Sequence, residues 1–157
     1  MAERKKRVLV IIDDADSSYD TARRISAALK DCRVTMRRAV PAGKGGPEDR
    51  SRSASGRPGP GSVAAFAGND ILGADVFFLG CEKPRSPSFA YVERLLAHIN
   101  LAGRSCGFFS TGSLTVLKYL NGLLKSCEAI RGDSFQVTQG KARALKTWAR
   151  GVAALKR

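Results

Sequence analysis

The sequence predicts one α/β domain in which a parallel β-sheet lies between two layers of helices. Strand and helix patterns alternate along the whole chain of 157 residues, and this alternation is typical of a parallel sheet with right-handed crossovers. The first strand, Val8–Ile12, is a continuous apolar run, as expected of a strand that is buried on both faces. No apolar run approaches the roughly 20 residues that are needed to span a bilayer.

The first part of the chain predicts two strands and a helix between them. After Val8–Ile12, residues 22–29 carry apolar side chains at helical spacing, and Ser17 or Ser18 offers the N-cap of that helix. Residues 32–39 alternate between apolar and polar side chains, which indicates a second strand near the edge of the sheet.

The segment from about 41 to 62 differs in composition from its surroundings. It is rich in Gly, Pro, Ser and charged residues and contains no large apolar residue. Such a segment has no apolar surface to offset the entropy of ordering. We therefore predict a flexible insertion within a single domain that spans residues 1–157.

The remainder of the chain continues the alternation of helices and strands. The spacing of apolar residues predicts helices over 63–72, 89–99, 114–127 and 141–155, and strands over 74–80, 105–110 and 135–137. Because the carboxyl ends of parallel strands meet at one edge, the residues directly after each strand are the expected ligand-binding residues.

The cysteines and the single histidine, His98, show no spacing that is typical of a metal site. Cys32, Cys81, Cys106 and Cys127 form no CxxC pair, which disfavours zinc and a redox dithiol. We expect no metal and interpret the cysteines as core residues of a reduced protein. The charged start of the chain precedes only five apolar residues, too few for a secretory segment, so a cytoplasmic protein is expected.

The middle of the chain carries the most informative segments: Gly73–Cys81, Pro84 and Pro87, Phe89–Leu96, Asn100–Arg104, and Gly107–Ser113. In this order they resemble the flavodoxin-like family, and the resemblance covers the whole chain except the insertion at 41–62. It implies a three-layer sandwich with a five-stranded parallel sheet, strand order 2-1-3-4-5, and helices on both faces. It also implies a flavoprotein that binds FMN and transfers electrons to a partner protein.

The resemblance further implies where the flavin is held. The candidate cofactor-binding residues follow the strand ends: Ser17, Ser18, Thr21, Cys81, Ser110, Thr111, Gly112 and Ser113. The first loop departs from the family pattern, because Asp16 occupies the glycine position and Asp13 and Asp14 precede it. Three carboxylates are then expected to face the phosphate, and each such contact near 4 Å costs roughly 4 kcal/mol.

Two other features of the sequence suggest alternative chemistries, an acidic pair and a cysteine. The Asp13-Asp14 pair after a buried strand is similar to the acidic pair of response-regulator receiver domains, but Gly80-Cys81 stands where the phosphoaccepting Asp is expected. A working receiver is therefore not predicted. Cys81 lies near Lys83 and Arg85, so a reactive thiol is an alternative to simple packing.

The formal net charge of +13 supports a second function class. Basic residues cluster in three regions: Arg4–Arg7; Lys44, Arg50, Arg52 and Arg57; and Lys141, Arg143, Lys146, Arg150, Lys156 and Arg157. The alternative is therefore a flavin-free binding module that uses its basic surface on nucleic acid or on an acidic protein. In a flavoprotein, the same surface is expected to steer an acidic redox partner.

Overall fold

The computed structural model describes residues 4–39, 63–84, 89–125, 127–137 and 142–155. They form a five-stranded parallel sheet in the order β2-β1-β3-β4-β5. The strands are β1 Arg7–Ile12, β2 Arg33–Arg38, β3 Val76–Cys81, β4 Ser105–Ser110 and β5 Ile130–Gln136. The helices are α1 Asp16–Ala28, α2 Gly68–Leu72, α3 Ala90–His98, α4 Leu114–Lys125 and α5 Ala142–Ala153. The predicted fold class and strand order are confirmed.

The sheet divides the apolar residues into two cores. Leu9 and Ile11 of β1 pack with residues of α2, α3 and α4 on one face. Val8, Val10 and Ile12 pack with α1 and α5 on the other face. Successive side chains of a strand point to opposite faces, so the apolar run of β1 supplies both cores at once.

Two helices differ in extent from their predicted bounds. The N-cap of α1 is Ala15 and not Ser17 or Ser18, which lie inside the first turn. The predicted helix over 63–72 is limited to α2, because Ala65 instead forms a β-bridge with Arg38 at the end of β2. Backbone pairing with the neighbouring strand satisfies the same hydrogen-bonding groups that a longer helix would use.

The last strand is longer than predicted, since β5 begins at Ile130 and not at Phe135. It is an edge strand with few buried residues, so its sequence lacks the apolar pattern that the prediction relied on. One extra residue of β5 forms a bulge opposite Cys106–Phe108 of β4. The indole nitrogen of Trp148 donates a 2.6 Å hydrogen bond to the carbonyl oxygen of Asp133 in this bulge.

The predicted insertion at 41–62 lies outside the described residues, so its flexibility and the single-domain organisation remain predictions. Within the ranges given above, no helix is long and apolar enough to cross a membrane.

Candidate functional site

The carboxyl ends of β1, β3 and β4 meet at one edge of the sheet, which we call the carboxyl edge. It comprises the loop and first helical turn at Asp13–Ser18, the loop Cys81–Lys83 after β3, and the turn Ser110–Ser113 after β4. Ligands of open parallel sheets bind at this edge, beside the point where the strand order reverses.

Hydroxyl groups from α1 and from the turn after β4 form a cluster at this edge. The Ser17 hydroxyl donates to Thr111 Oγ1 at 2.9 Å, and Ser18 Oγ lies 3.4 Å from the same atom. Ser18 is fully buried and Thr111 is 9% exposed. The structure therefore brings together three of the candidate cofactor-binding residues, two from the first loop and one from the turn after β4.

The turn after β4 is held by its own polar groups and by the loop after β3. The Ser110 hydroxyl donates to the Ser113 carbonyl at 2.9 Å and accepts from the Gly112 amide at 3.1 Å. The Thr111 amide donates to the Cys81 carbonyl at 3.2 Å. A Cβ atom on Gly112 would lie 2.0 Å from the carbonyl oxygen of Glu82, so this close approach requires glycine.

Asp13 is turned into the protein and not toward the phosphate position. It is 4% exposed; Oδ2 accepts from the Glu82 amide at 2.9 Å and Oδ1 accepts from the Ala15 amide at 3.4 Å. Asp14 is paired with Arg38 at 3.3 Å. Asp16 is exposed in the first turn of α1, where the helix dipole favours a carboxylate. Of the three carboxylates expected at the phosphate, Asp13 is therefore turned away, while Asp14 and Asp16 remain exposed at the start of α1.

Arg38 is a residue of the carboxyl edge that the sequence analysis missed. Its side chain is 16% exposed, and its Nε is buried with no hydrogen-bond partner among the described residues. The strand order places the ends of β2 and β4, and therefore Arg38 and Thr111, on opposite sides of the loop that follows β1. In the sequence, an arginine at the end of an alternating edge strand cannot be distinguished from an ordinary exposed basic residue. The sequence analysis therefore did not identify Arg38 as a candidate binding residue.

The remaining candidate residues have structural partners. Thr21 donates its hydroxyl to the Ser17 carbonyl at 2.9 Å within α1, and the exposed Ser113 pairs with the hydroxyl of Thr115. Cys81 is fully buried and reaches the carboxyl edge only through its carbonyl group. Burial, and secondarily the charge of Asp13, raise the pKa of the Cys81 thiol well above its ordinary value. The structure therefore does not support a reactive Cys81.

The aromatic residues that follow β3 belong to the core and its cover. Phe89 is fully buried, and Tyr91 packs edge-on against Phe66 with ring centroids 5.7 Å apart. In the part of the chain that the structure describes, no group of three or more His, Cys, Asp or Glu side chains is arranged to hold a metal ion.

The carboxyl edge carries donors of the kinds that bind a phosphate group. Ser17, Ser18 and Thr111 supply hydroxyls at the start of α1, where the helix dipole favours an anion. Arg38 supplies a guanidinium nitrogen that is buried without a partner. Asp13 is bonded to amides and Asp14 is paired with Arg38, so two of the three carboxylates of the first loop have partners, and Asp16 is exposed at the start of α1.

No model of a known protein family matches the sequence, and no curated protein matches it. Among solved structures, the chain is similar to a flavodoxin of Streptococcus pneumoniae TIGR4, with 13% identity, a TM-score of 0.68, and coverage of 94% of this chain and 98% of that one. Flavodoxin 2 of Bacillus cereus gives 13% identity, a TM-score of 0.67, and coverage of 94% and 97%.

A third similar structure is a mutant flavodoxin of Fusobacterium nucleatum bound to flavin mononucleotide. It gives 8% identity, a TM-score of 0.66, and coverage of 98% of each chain. At these identities, the similarity shows the fold alone, and that fold is the flavodoxin-like fold.

Proposed function

We propose that this flavodoxin-like domain binds FMN at the carboxyl edge and transfers electrons to a partner protein. The observation that carries the proposal is the cluster of Ser17, Ser18 and Thr111 at the N-terminus of α1. A structurally similar flavodoxin was solved with flavin mononucleotide bound, and the cluster lies at the edge where this fold binds ligands.

In the proposed complex, the hydroxyls of Ser17, Ser18 and Thr111 hold the phosphate, and Arg38 contributes positive charge beside the loop. The flavin, when bound, supplies the chemistry of reversible reduction. The protein residues bind and orient it. Asp13 keeps the loop in place through the Glu82 and Ala15 amides, and Gly112 allows the turn after β4 to approach Glu82.

One observation favours a second function, which is partner binding without a flavin. The Ser17 hydroxyl already donates its single proton to Thr111 Oγ1 at 2.9 Å, so it can donate to a phosphate only after this contact breaks. Breaking it costs about 1 kcal/mol net, which weakens phosphate binding by that amount.

Titration of the purified apoprotein with FMN and, separately, with riboflavin tests the proposal, with flavin fluorescence as the readout. We expect FMN to be quenched on binding and to bind at least about tenfold more tightly than riboflavin, since a charge-assisted phosphate contact contributes about 1.5–3 kcal/mol. Ser17→Ala and Thr111→Val should each weaken FMN binding and leave riboflavin binding unchanged.

The matched control is Thr147→Ala, which removes an exposed helical hydroxyl on α5 that bonds to the Arg143 carbonyl. It should leave FMN binding as in the wild type. Undiminished fluorescence of added FMN would exclude the electron-transfer function and leave the flavin-free one. Equal affinity for FMN and riboflavin would show that the hydroxyl cluster does not hold the phosphate.

A further inference from the structure

Arginines from the amino ends of β1 and β4 and from along β2 line two adjoining hollows beside the sheet. Arg33 and Arg37 belong to β2, Arg7 begins β1, Arg4 precedes it, and Arg104 precedes β4. These residues, which we call the arginine track, come from distant parts of the sequence. Neither the cluster at 4–7 nor the basic last helix reveals the track by itself.

Two adjoining hollows make the track continuous. One of about 360 Å³ is lined by Arg7, Arg33 and Arg37, together with Val8 and Leu9 of β1. The other, of about 400 Å³, is lined by Arg4, Arg7 and Arg104. Arg7, Gly73 and Ala74 line both hollows. Because neighbouring strands lie about 4.8 Å apart, a row from β2 to β4 is about 14 Å long.

The parallel register places like charges side by side in the track. Arg7 of β1 is the partner of Arg33 in β2, and Arg37 is on the same face of β2 because side chains alternate. Like charges directly opposite each other destabilise a sheet. Within the described residues, neither Arg7 nor Arg33 forms an ion pair with a carboxylate, and both are exposed. An anion between them removes the repulsion.

The acidic residues near the track do not cancel it. Asp70 pairs with Arg37 at 3.3 Å, and Asp75 pairs with Arg4 at 3.4 Å and accepts the amide of Arg7 at 2.9 Å. Asp31 is exposed in the loop before β2. The Arg4 side chain is 69% exposed, and such an ion pair contributes little, so Arg4 can turn to an anionic ligand at small cost. The Arg37–Asp70 pair is largely buried, and Arg37 also donates to the Met36 carbonyl. Arg104 donates to the carbonyls of Leu72 and Ala74, so Arg37 and Arg104 contribute positive charge from fixed positions.

We propose that the arginine track binds the phosphate backbone of single-stranded nucleic acid. The guanidinium fork matches a phosphate bidentately, and the two hollows share Arg7, Gly73 and Ala74, so they form one continuous path that a single phosphate chain can follow. No aromatic residue lines either hollow, so no base-stacking platform is present there and the binding is independent of sequence. Arg4, Arg7, Arg33 and Arg104 lie at the amino ends of the strands, opposite the proposed flavin site, whereas Arg37 lies near the carboxyl end of β2.

Fluorescence anisotropy with a labelled single-stranded DNA of 20 nucleotides and mixed sequence tests this proposal over a range of salt concentrations. We expect wild-type binding at low salt with an affinity that falls steeply as salt rises. Each phosphate contact on a single strand contributes about 0.7 to the slope of log K against log salt. Arg7→Ala/Arg33→Ala should therefore lower the slope by about 1.4 and weaken binding about tenfold at low salt.

The matched control is Arg24→Ala/Arg94→Ala, which removes the same charge from exposed positions on α1 and α3. It should leave the slope unchanged. Poly-glutamate of similar charge serves as a competitor and should displace the DNA only weakly. A control variant as weak as the track variant, displacement by poly-glutamate at equal charge, or no wild-type binding at low salt would each overturn the proposal. Thermal unfolding of both variants establishes that they are folded.

Discussion

The two ends of the sheet differ in whether their charged side chains have partners of opposite charge. At the carboxyl edge, the carboxylates of Asp13 and Asp14 have partners, since Asp13 bonds to the Glu82 amide at 2.9 Å and Asp14 pairs with Arg38. At the amino ends, Arg7 and Arg33 are paired with each other in the strand register, and no carboxylate among the described residues neutralises them.

This difference shows that a count of charges does not locate a binding surface. The three carboxylates of the first loop predict repulsion of a phosphate in the sequence, yet two of them, Asp13 and Asp14, have partners in the structure. The arginines of the track are dispersed in the sequence, yet the sheet brings them together. A ligand is favoured where charge is left uncompensated or where a donor lacks a partner, as for Arg33 and for Nε of Arg38.

The largest effect is expected for Gly112→Ala at the carboxyl edge. The new Cβ would lie 2.0 Å from the Glu82 carbonyl oxygen, and the backbone of Glu82 is tied to Asp13, so neither side can move freely. We expect a loss of about 3 kcal/mol in the free energy of unfolding, measured by urea denaturation.

The matched control is Gly122→Ala in α4, where an added Cβ meets nothing within 4 Å. It should stabilise the protein by up to about 1 kcal/mol, because alanine favours a helix interior. A loss at Gly122 equal to that at Gly112 would show that the turn is not the cause.

A smaller loss is expected for Asp13→Asn. The asparagine oxygen can accept from only one of the two amides, and the other amide then faces an NH₂ group in a buried site. We expect a loss of about 2 kcal/mol in the free energy of unfolding. An unchanged stability would mean that Asp13 does not hold the loop after β3.

The corresponding change at the amino ends, Asp75→Asn, should cost less. Asp75 also accepts a backbone amide, that of Arg7, but its side chain is 26% exposed and water replaces part of the lost interaction. We expect a loss of about 1 kcal/mol by the same denaturation assay. A loss greater than that of Asp13→Asn would reverse the comparison between the two ends.

The smallest change is expected from alkylation of Cys81 in the native protein. Burial raises the pKa of its thiol well above the ordinary value, and the side chain is fully buried, so little thiolate forms when the pH rises from 7 to 8.5. Mass spectrometry after iodoacetamide treatment should find Cys32, which is partly exposed, modified before Cys81. Modification of Cys81 before Cys32 would instead support a reactive Cys81 thiol.

The fold was predictable because its signals are local. Three local patterns indicate which side chains are buried: the apolar run of β1, the helical spacing of residues 22–29 and the alternation of residues 32–39. The buried side chains define the faces that pack together. The start of β5 was predicted too late in the chain, because the residues of this edge strand are not buried and show no apolar pattern. The sequence also located the hydroxyl-bearing residues Ser17, Ser18 and Thr111 correctly at one edge.

The sequence by itself determined the elements, the two apolar faces and the residues that follow each strand. Only the tertiary structure decided that Asp13 points inward to Glu82, that Thr111 meets Ser17, and that Arg7 stands beside Arg33. The physical reason is that these contacts join residues far apart in the chain. Such contacts depend on strand order and register, which place side chains together irrespective of their spacing in the sequence.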